Sequence, residues 1–205
     1  TRVIANIAGN TPEEYCEMAE KLSSTDVDMI EMNISCPNVK SGGVQFGTSC
    51  ESVGSITSAV RKHCTKPLIV KLSPNVTDIA EIAKSAEANG ADAISMINTL
   101  TGMRIDINTK RPIIRNNTGG MSGPAVFPVA VRMVWQVSNA VKIPIIGMGG
   151  ISTWQDAVEM MIAGASALQI GTVFFSDPYA PIKIAEGINE YLDKNGMKSV
   201  TELLS

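Results

Sequence analysis

The segment Asn33-Ile34-Ser35-Cys36-Pro37-Asn38 sets a thiol between two carboxamides at the end of a predicted strand, and the run Gly42-Gly43-Val44-Gln45-Phe46-Gly47-Thr48 follows it closely. Carboxamides both donate and accept hydrogen bonds, which suits a small polar heterocycle. A thiol can move a proton to or from carbon. It titrates near pH 8.5, so Cys36 is mostly protonated at neutral pH and becomes a plausible base once a bound substrate excludes water. The bland reading of such a cysteine is a small buried hydrophobe. Its place after a strand, before a proline and between asparagines points to catalysis instead.

Lys71 stands near the end of the apolar run Leu68-Ile69-Val70-Lys71-Leu72-Ser73. A lysine at a frayed strand end can snorkel to water. Inside a barrel it is costly to desolvate unless it meets an anion or an electron-rich group. Two chemistries fit: a cation that stabilises a reduced flavin, or the Schiff-base nucleophile of an aldolase. Glycine clusters supply a further element. Gly147-Met148-Gly149-Gly150-Ile151-Ser152 and Gly171-Thr172 end two successive predicted strands. Turns need glycine anyway, but paired clusters at neighbouring strand ends suit phosphate binding through backbone N–H groups. Thr118-Gly119-Gly120-Met121-Ser122-Gly123-Pro124 is a third glycine element that can join the same pocket.

The elements that must hold these groups alternate strand and helix. Strands are predicted over residues 3–8, 29–35, 68–73, 93–99, 143–148 and 167–172, and helices over 12–23, 52–63, 77–89, 125–140, 153–163 and 181–195. Thr11 with Glu14 and Ser152 with Gln155 read as capping boxes, and Pro12 suits a first helical position. Asn89-Gly90 and Asn195-Gly196 read as helix stops. This alternation implies a parallel sheet with right-handed crossovers. In 29–35, Ile30, Met32 and Ile34 share one face while Glu31, Asn33 and Ser35 share the other. Lys71, Asn98-Thr99, Gly149-Gly150 and Gly171-Thr172 sit at matching strand ends. Functional groups from several strands meeting at one rim favour a (β/α)8 TIM barrel over an open doubly wound sheet. Six units are legible where a complete barrel has eight and about 250 residues. Residues 3–8 already read as a strand, so the deficit is placed before them, in one barrel domain that lacks its first strands. Residues 100–124 read as a long irregular and functional loop.

Composition narrows the classes further. A net charge of −3 over 205 residues gives no basic footprint for nucleic acid or anionic lipid. No apolar run reaches the roughly 20 residues of a membrane span, and Thr1-Arg2-Val3 opens neither a signal peptide nor a chain with its initiator methionine. A cytoplasmic location is expected. The four cysteines, Cys16, Cys36, Cys50 and Cys64, form no CxxC pair and the one histidine is His63. No metal site is expected within the chain. Cys16, Cys50 and Cys64 read as free thiols, Met29, Met32, Met96, Met160 and Met161 as core filling, and His63 as structural or solvent-facing.

Together, the Asn33–Asn38 segment, the Gly42–Thr48 run, Lys71, Ile97-Asn98-Thr99, Ser122-Gly123-Pro124, Gly147–Ile151 and Gly171-Thr172 resemble the dihydroorotate dehydrogenases, over essentially the whole chain. A cysteine at position 36 and the Gly-Gly-Val-Gln-Phe-Gly-Thr continuation are most similar to class 1B, the NAD-linked catalytic subunits. The resemblance implies FMN-dependent oxidation of dihydroorotate to orotate in pyrimidine biosynthesis, with Cys36 as base and hydride transfer to FMN. It implies that Asn33, Asn38, Asn98 and Thr99 hold the substrate. Asn6, Asn33, Lys71, Ile97, Gly123, Gly149, Gly150, Gly171 and Thr172 would hold the cofactor. It further implies a partner subunit carrying FAD and [2Fe–2S], which reduces NAD, and assembly as a homodimer or heterotetramer. Competing readings are another FMN-dependent pyrimidine reductase, an aldolase-type phosphate-binding barrel using Lys71, and an inactive barrel fragment.

Overall fold

A computed structural model describes residues 1–35 and 46–204. Its centre is a six-stranded parallel sheet in the order β1 (Ile4–Ile7), β2 (Met29–Asn33), β3 (Leu68–Lys71), β4 (Ala93–Met96), β9 (Ile145–Met148), β10 (Ala167–Gln169). Each pair of sheet neighbours is parallel, and a helix follows every one of these strands, though short strands also intervene after β4. The helices are α1 (Pro12–Ser23), α2 (Cys50–Arg61), α3 (Ile79–Ala88), α4 (Phe127–Ser138), α5 (Trp154–Ile162) and α6 (Ala180–Lys194). Each packs on the next, as a ring of helices around a curling sheet does.

Strand alternation divides the sheet into two faces. Ile30, Met32, Leu68, Val70, Ile94, Met96 and Ile145 point outward and are buried against the helices in the main core. The inner face carries a small apolar floor of Ile69, Ala93 and Ile146 with Met29 packed against it. Above that floor the inner positions turn polar, because register aligns Asn6 with Glu31 and Asn33 with Lys71, and Lys71 with Ser95. The sheet is curled enough for a β10 side chain to reach β2: Gln169 Nε2 donates to Glu31 Oε1 at 2.7 Å. β1 and β10 end the sheet without pairing with each other.

Helix starts follow local chemistry. Thr11 Oγ1 accepts from the Glu14 N–H at 3.3 Å with Pro12 behind it. Glu14 reaches back to the N–H of Asn10 at 2.6 Å, one residue before the cap, so the reciprocal half of the expected box is displaced. The second expected box is corrected by one residue. Thr153, not Ser152, caps α5, and its partner is Asp156, whose carboxylate accepts from the N–H groups of both Ser152 and Thr153 at 2.9 Å. A short carboxylate held at the positive end of a helix serves better there than the neutral, longer Gln155.

Residues 100–124 are not irregular throughout. They contain β5 (Leu100–Gly102) paired antiparallel with β8 (Gly119–Met121), and β6 (Ile105–Asp106) with β7 (Arg111–Pro112). Asp106 Oδ1 accepts from Asn108 N at 2.7 Å and shapes the turn between β6 and β7. Strands this short carry no readable alternation. The predicted strand ends also retreat. Residues 34–35, 72–73 and 97–99 leave the ladder, and Thr172–Phe175 forms a 3₁₀ turn.

Candidate functional site

The six strand ends point to one side, and there a cleft of about 230 Å³ opens between the ends of β3, β4, β9 and β10 and the segment after β8. Lys71, Ile97, Asn98 and Thr99 line one wall of it. Gly149 and Gly150 after β9, Gly171 and Thr172 after β10, and Gly123 line the other. Nine of the expected site residues therefore share a single cleft.

The glycine wall presents bare backbone to the cleft. Gly149 and Gly150 adopt φ of 120° and 80°, the left-handed region that glycine alone tolerates well. A Cβ at Gly150 would stand 2.8 Å from the carbonyl oxygen of Gly123, so the loop closes only around a bare backbone. The N–H groups of Gly149, Gly150 and Gly171 make no hydrogen bond among the described residues. Such donors need a partner, and a phosphate supplies strong acceptors. The N-terminus of α5 is capped, as the sequence suggested, but by Thr153 and Asp156. The 3₁₀ turn at Thr172 has no side-chain cap at Gly171.

The amide wall is a network. Asn98 Nδ2 donates to Asn33 Oδ1 at 3.1 Å and to Ser35 Oγ at 2.6 Å, and Asn98 Oδ1 accepts from the Thr99 N–H at 2.7 Å. Both Asn98 protons are thereby engaged. Asn33 Oδ1 also receives Ser35, while Asn33 Nδ2 has no acceptor among the described residues and remains a donor. Tyr15, fully buried on α1, donates its hydroxyl to the Asn33 carbonyl at 2.7 Å and fixes the end of β2. Thr99 is held through its carbonyl, which accepts from Asn75 Nδ2 at 2.9 Å.

Below the cleft lies a charged centre. Glu31 is 3% exposed, yet it accepts hydrogen bonds from Asn6 Nδ2 of β1 and Gln169 Nε2 of β10. Lys71 Nζ stands 3.5 Å from its Oε2. Burial works to raise the Glu31 pKa, but the Lys71 ammonium and the surrounding donors outweigh it and hold the carboxyl below its ordinary value. Ser95 Oγ is buried and makes no hydrogen bond of good geometry among the described residues, yet its hydroxyl also acts to lower the Glu31 pKa. Lys71 is thus no snorkelling strand end: its side chain is 17% exposed and ion-paired.

Asn6 and Asn33 are not among the residues lining the cleft: exposed Asn6 donates to Glu31, and half-buried Asn33 belongs to the amide network. Cys36, Asn38 and the run from Gly42 to Gln45 lie outside the described residues. Glu31, Gln169, Ser35 and Tyr15 were not singled out as site residues. Glu31 had left a signal, a carboxylate in an apolar strand at the same parity as Asn33. Elsewhere the expectations hold: Cys16, Cys50 and Cys64 are free, and His63 lies at the surface 3.5 Å from Glu20. Burial, reinforced by Glu13, pushes the Cys16 thiol up. Among the described residues no group of His, Cys, Asp or Glu is arranged to hold a metal, and no helix is long and apolar enough to cross a membrane.

A sequence profile of the family described as dihydroorotate dehydrogenase matches residues 1–192. The chain is 56% identical over 204 residues to the dihydroorotate dehydrogenase B (NAD(+)) catalytic subunit of Alkaliphilus oremlandii, covering 100% of this chain and 68% of that protein. To the proteins of the same name from Bacteroides fragilis and Geotalea uraniireducens it is 58% and 57% identical over 205 residues, covering 68% and 67% of them.

Proposed function

The chain belongs to the dihydroorotate dehydrogenase family, and we propose that it oxidises dihydroorotate to orotate in pyrimidine biosynthesis, with FMN as its cofactor. The observation that carries this reading is the cleft itself. It joins three glycine N–H groups that are unpaired among the described residues, fit for a phosphate, to a lysine and an amide network fit for a polar heterocycle. The chemistry that FMN supplies when bound is hydride acceptance at N5.

This chain's residues do the remainder. Cys36 removes the proton from C5 of dihydroorotate as a hydride leaves C6, so that one C–H bond at each carbon is exchanged for the ring double bond. Asn33, through its uncommitted Nδ2, and Asn38 and Thr99 orient the substrate's carbonyls, ring N–H and carboxylate. Asn98 acts chiefly by holding Asn33 and Ser35, with one Oδ1 lone pair left to accept. Lys71 stabilises negative charge on the reduced ring, an electrostatic effect that grows as water is excluded. Gly149, Gly150, Gly171, Thr172 and Gly123 would hold the phosphate and ribityl chain, with Ile97 beside them, and Asn6 and Asn33 would support the ring.

We read the six strand–helix units as part of a single eight-unit FMN-binding barrel. In support, among the described residues β1 and β10 leave both sheet edges unpaired, and the matched region spans 68% of the first relative's length. Electrons would pass to an NAD-reducing subunit holding FAD and [2Fe–2S], in line with the NAD(+) and catalytic-subunit wording of the relatives' names.

Steady-state turnover of the purified full-length flavoprotein tests the reading. Oxidation of dihydroorotate with no turnover of uracil is expected. Turnover of uracil in place of dihydroorotate would assign the chain to another pyrimidine reductase, and borohydride trapping on Lys71 would assign it to an aldolase.

A further inference from the structure

Glu31 has no part in the chemistry above, yet among the described residues it is the most deeply buried acid. It lies one inner position deeper than Lys71: register pairs Glu31 with Ile69 and Asn33 with Lys71. Lys71 borders the cleft and Glu31 does not. The carboxylate therefore lies 3.5 Å from the ammonium and outside the cleft lining. Three strands converge on it, with Asn6 of β1 and Gln169 of β10 as neutral donors and Ser95 of β4 adding its dipole. Among the described residues, Lys71 of β3 is the charged group acting on it.

We propose that Glu31 is the positioning residue for Lys71: it tethers the ammonium at the cleft wall, offsets part of its charge, and stays ionised only while that ammonium faces it. A buried carboxylate without a cation takes up a proton rather than remain charged. Neutral amide donors soften that penalty but do not remove it. Pair and site form one electrostatic unit, and removing either charge changes the other. Replacing Glu31 by glutamine leaves Lys71 unbalanced and makes the cleft more positive. Replacing Lys71 by methionine removes the cation and, through proton uptake at Glu31, the anion as well.

Infrared difference spectroscopy tests the first half without any cofactor. Lys71→Met should show a carboxylic acid C=O band at pH 7 that is absent from wild type and from the Glu31→Gln/Lys71→Met double variant. No such band would overturn the proposal. The second half rests on the reading that Lys71 faces a reduced flavin, and is measured as the reduction potential of the holoenzyme. Glu31→Gln should shift the oxidised–reduced equilibrium about tenfold toward reduced, ~30 mV for a two-electron couple, and should have no effect in the Lys71→Met background. An unchanged or lowered potential, or an equal shift in both backgrounds, would contradict the charge offset. Glutamine preserves shape and can still accept from Asn6 or Gln169, and far-ultraviolet circular dichroism shows that each variant is folded. If the infrared result holds in a protein that binds no flavin, the functional reading fails and the Glu31–Lys71 unit stands.

Discussion

At the residue scale the account rests on two proton-bearing groups, and each has a pH signature. Cys36→Ser in the flavoprotein should lower dihydroorotate oxidation at pH 7 by roughly 10²–10⁴-fold, the usual worth of a positioned general base. A hydroxyl is a far weaker acid, so the loss should shrink as pH rises, and FMN content should not change. Full activity at pH 7 would remove Cys36 from the mechanism. Glu31 titrates low in the folded state because Lys71 and its donors outweigh burial. The unfolded chain therefore binds its proton first on acidification, near pH 4.3. The stability Glu31 contributes is whole above that pH and is lost as pH falls through the lower folded value. In Lys71→Met the sign reverses, since an unpaired buried carboxyl titrates high, and stability should fall as pH rises above about 4.3. Urea melts across pH 3–8 compare the two slopes. Lys71 and Asn98-Thr99 were legible because their types and strand-end positions are unusual. Glu31 was visible in its parity but not its partners, since Gln169 lies 138 residues away and only the curl brings them together.

At the element scale, two contacts decide how the site's walls are held. Tyr15→Phe deletes the hydroxyl that satisfies the Asn33 carbonyl and should cost about 1–3 kcal/mol by denaturant unfolding. It should also weaken substrate binding through the end of β2; an unchanged KM would confine Tyr15 to stability. Gly150→Ala meets both a positive φ and the Gly123 carbonyl, so it should cost about 1–3 kcal/mol and loosen FMN. The long elements were readable because hydrophobic period and cap residues agree: α1 was placed to the residue, and Asn89 and Asn195 close α3 and α6 as the following glycines suggested. The cap of α5 was misplaced because Ser152 and Thr153 are both good N-caps, and only the reach of Asp156 chooses between them. The ladders of residues 100–121 were missed because strands of two or three residues have no period to read.

At the scale of the whole molecule, the parallel order follows from alternation, but the curl does not. It shows in the inner floor of Ile69, Ala93 and Ile146 and in the Gln169–Glu31 contact that spans it. Closure is the unmet part. Among the described residues β1 and β10 present free edges, Val3 and Ile4 are exposed, and Phe175 beyond β10 is 94% exposed. Free edges and apolar surface invite association, so the 205-residue chain by itself should sediment as a mixture of oligomers. A discrete monomer at micromolar concentration would show that these edges are adequately covered. The most direct test of the central claim is an anaerobic titration of the full-length flavoprotein with dihydroorotate, followed by visible absorbance. Stepwise bleaching of the bound flavin, matched mole for mole by orotate, is the predicted result. A spectrum that dithionite bleaches but dihydroorotate leaves unchanged would contradict it.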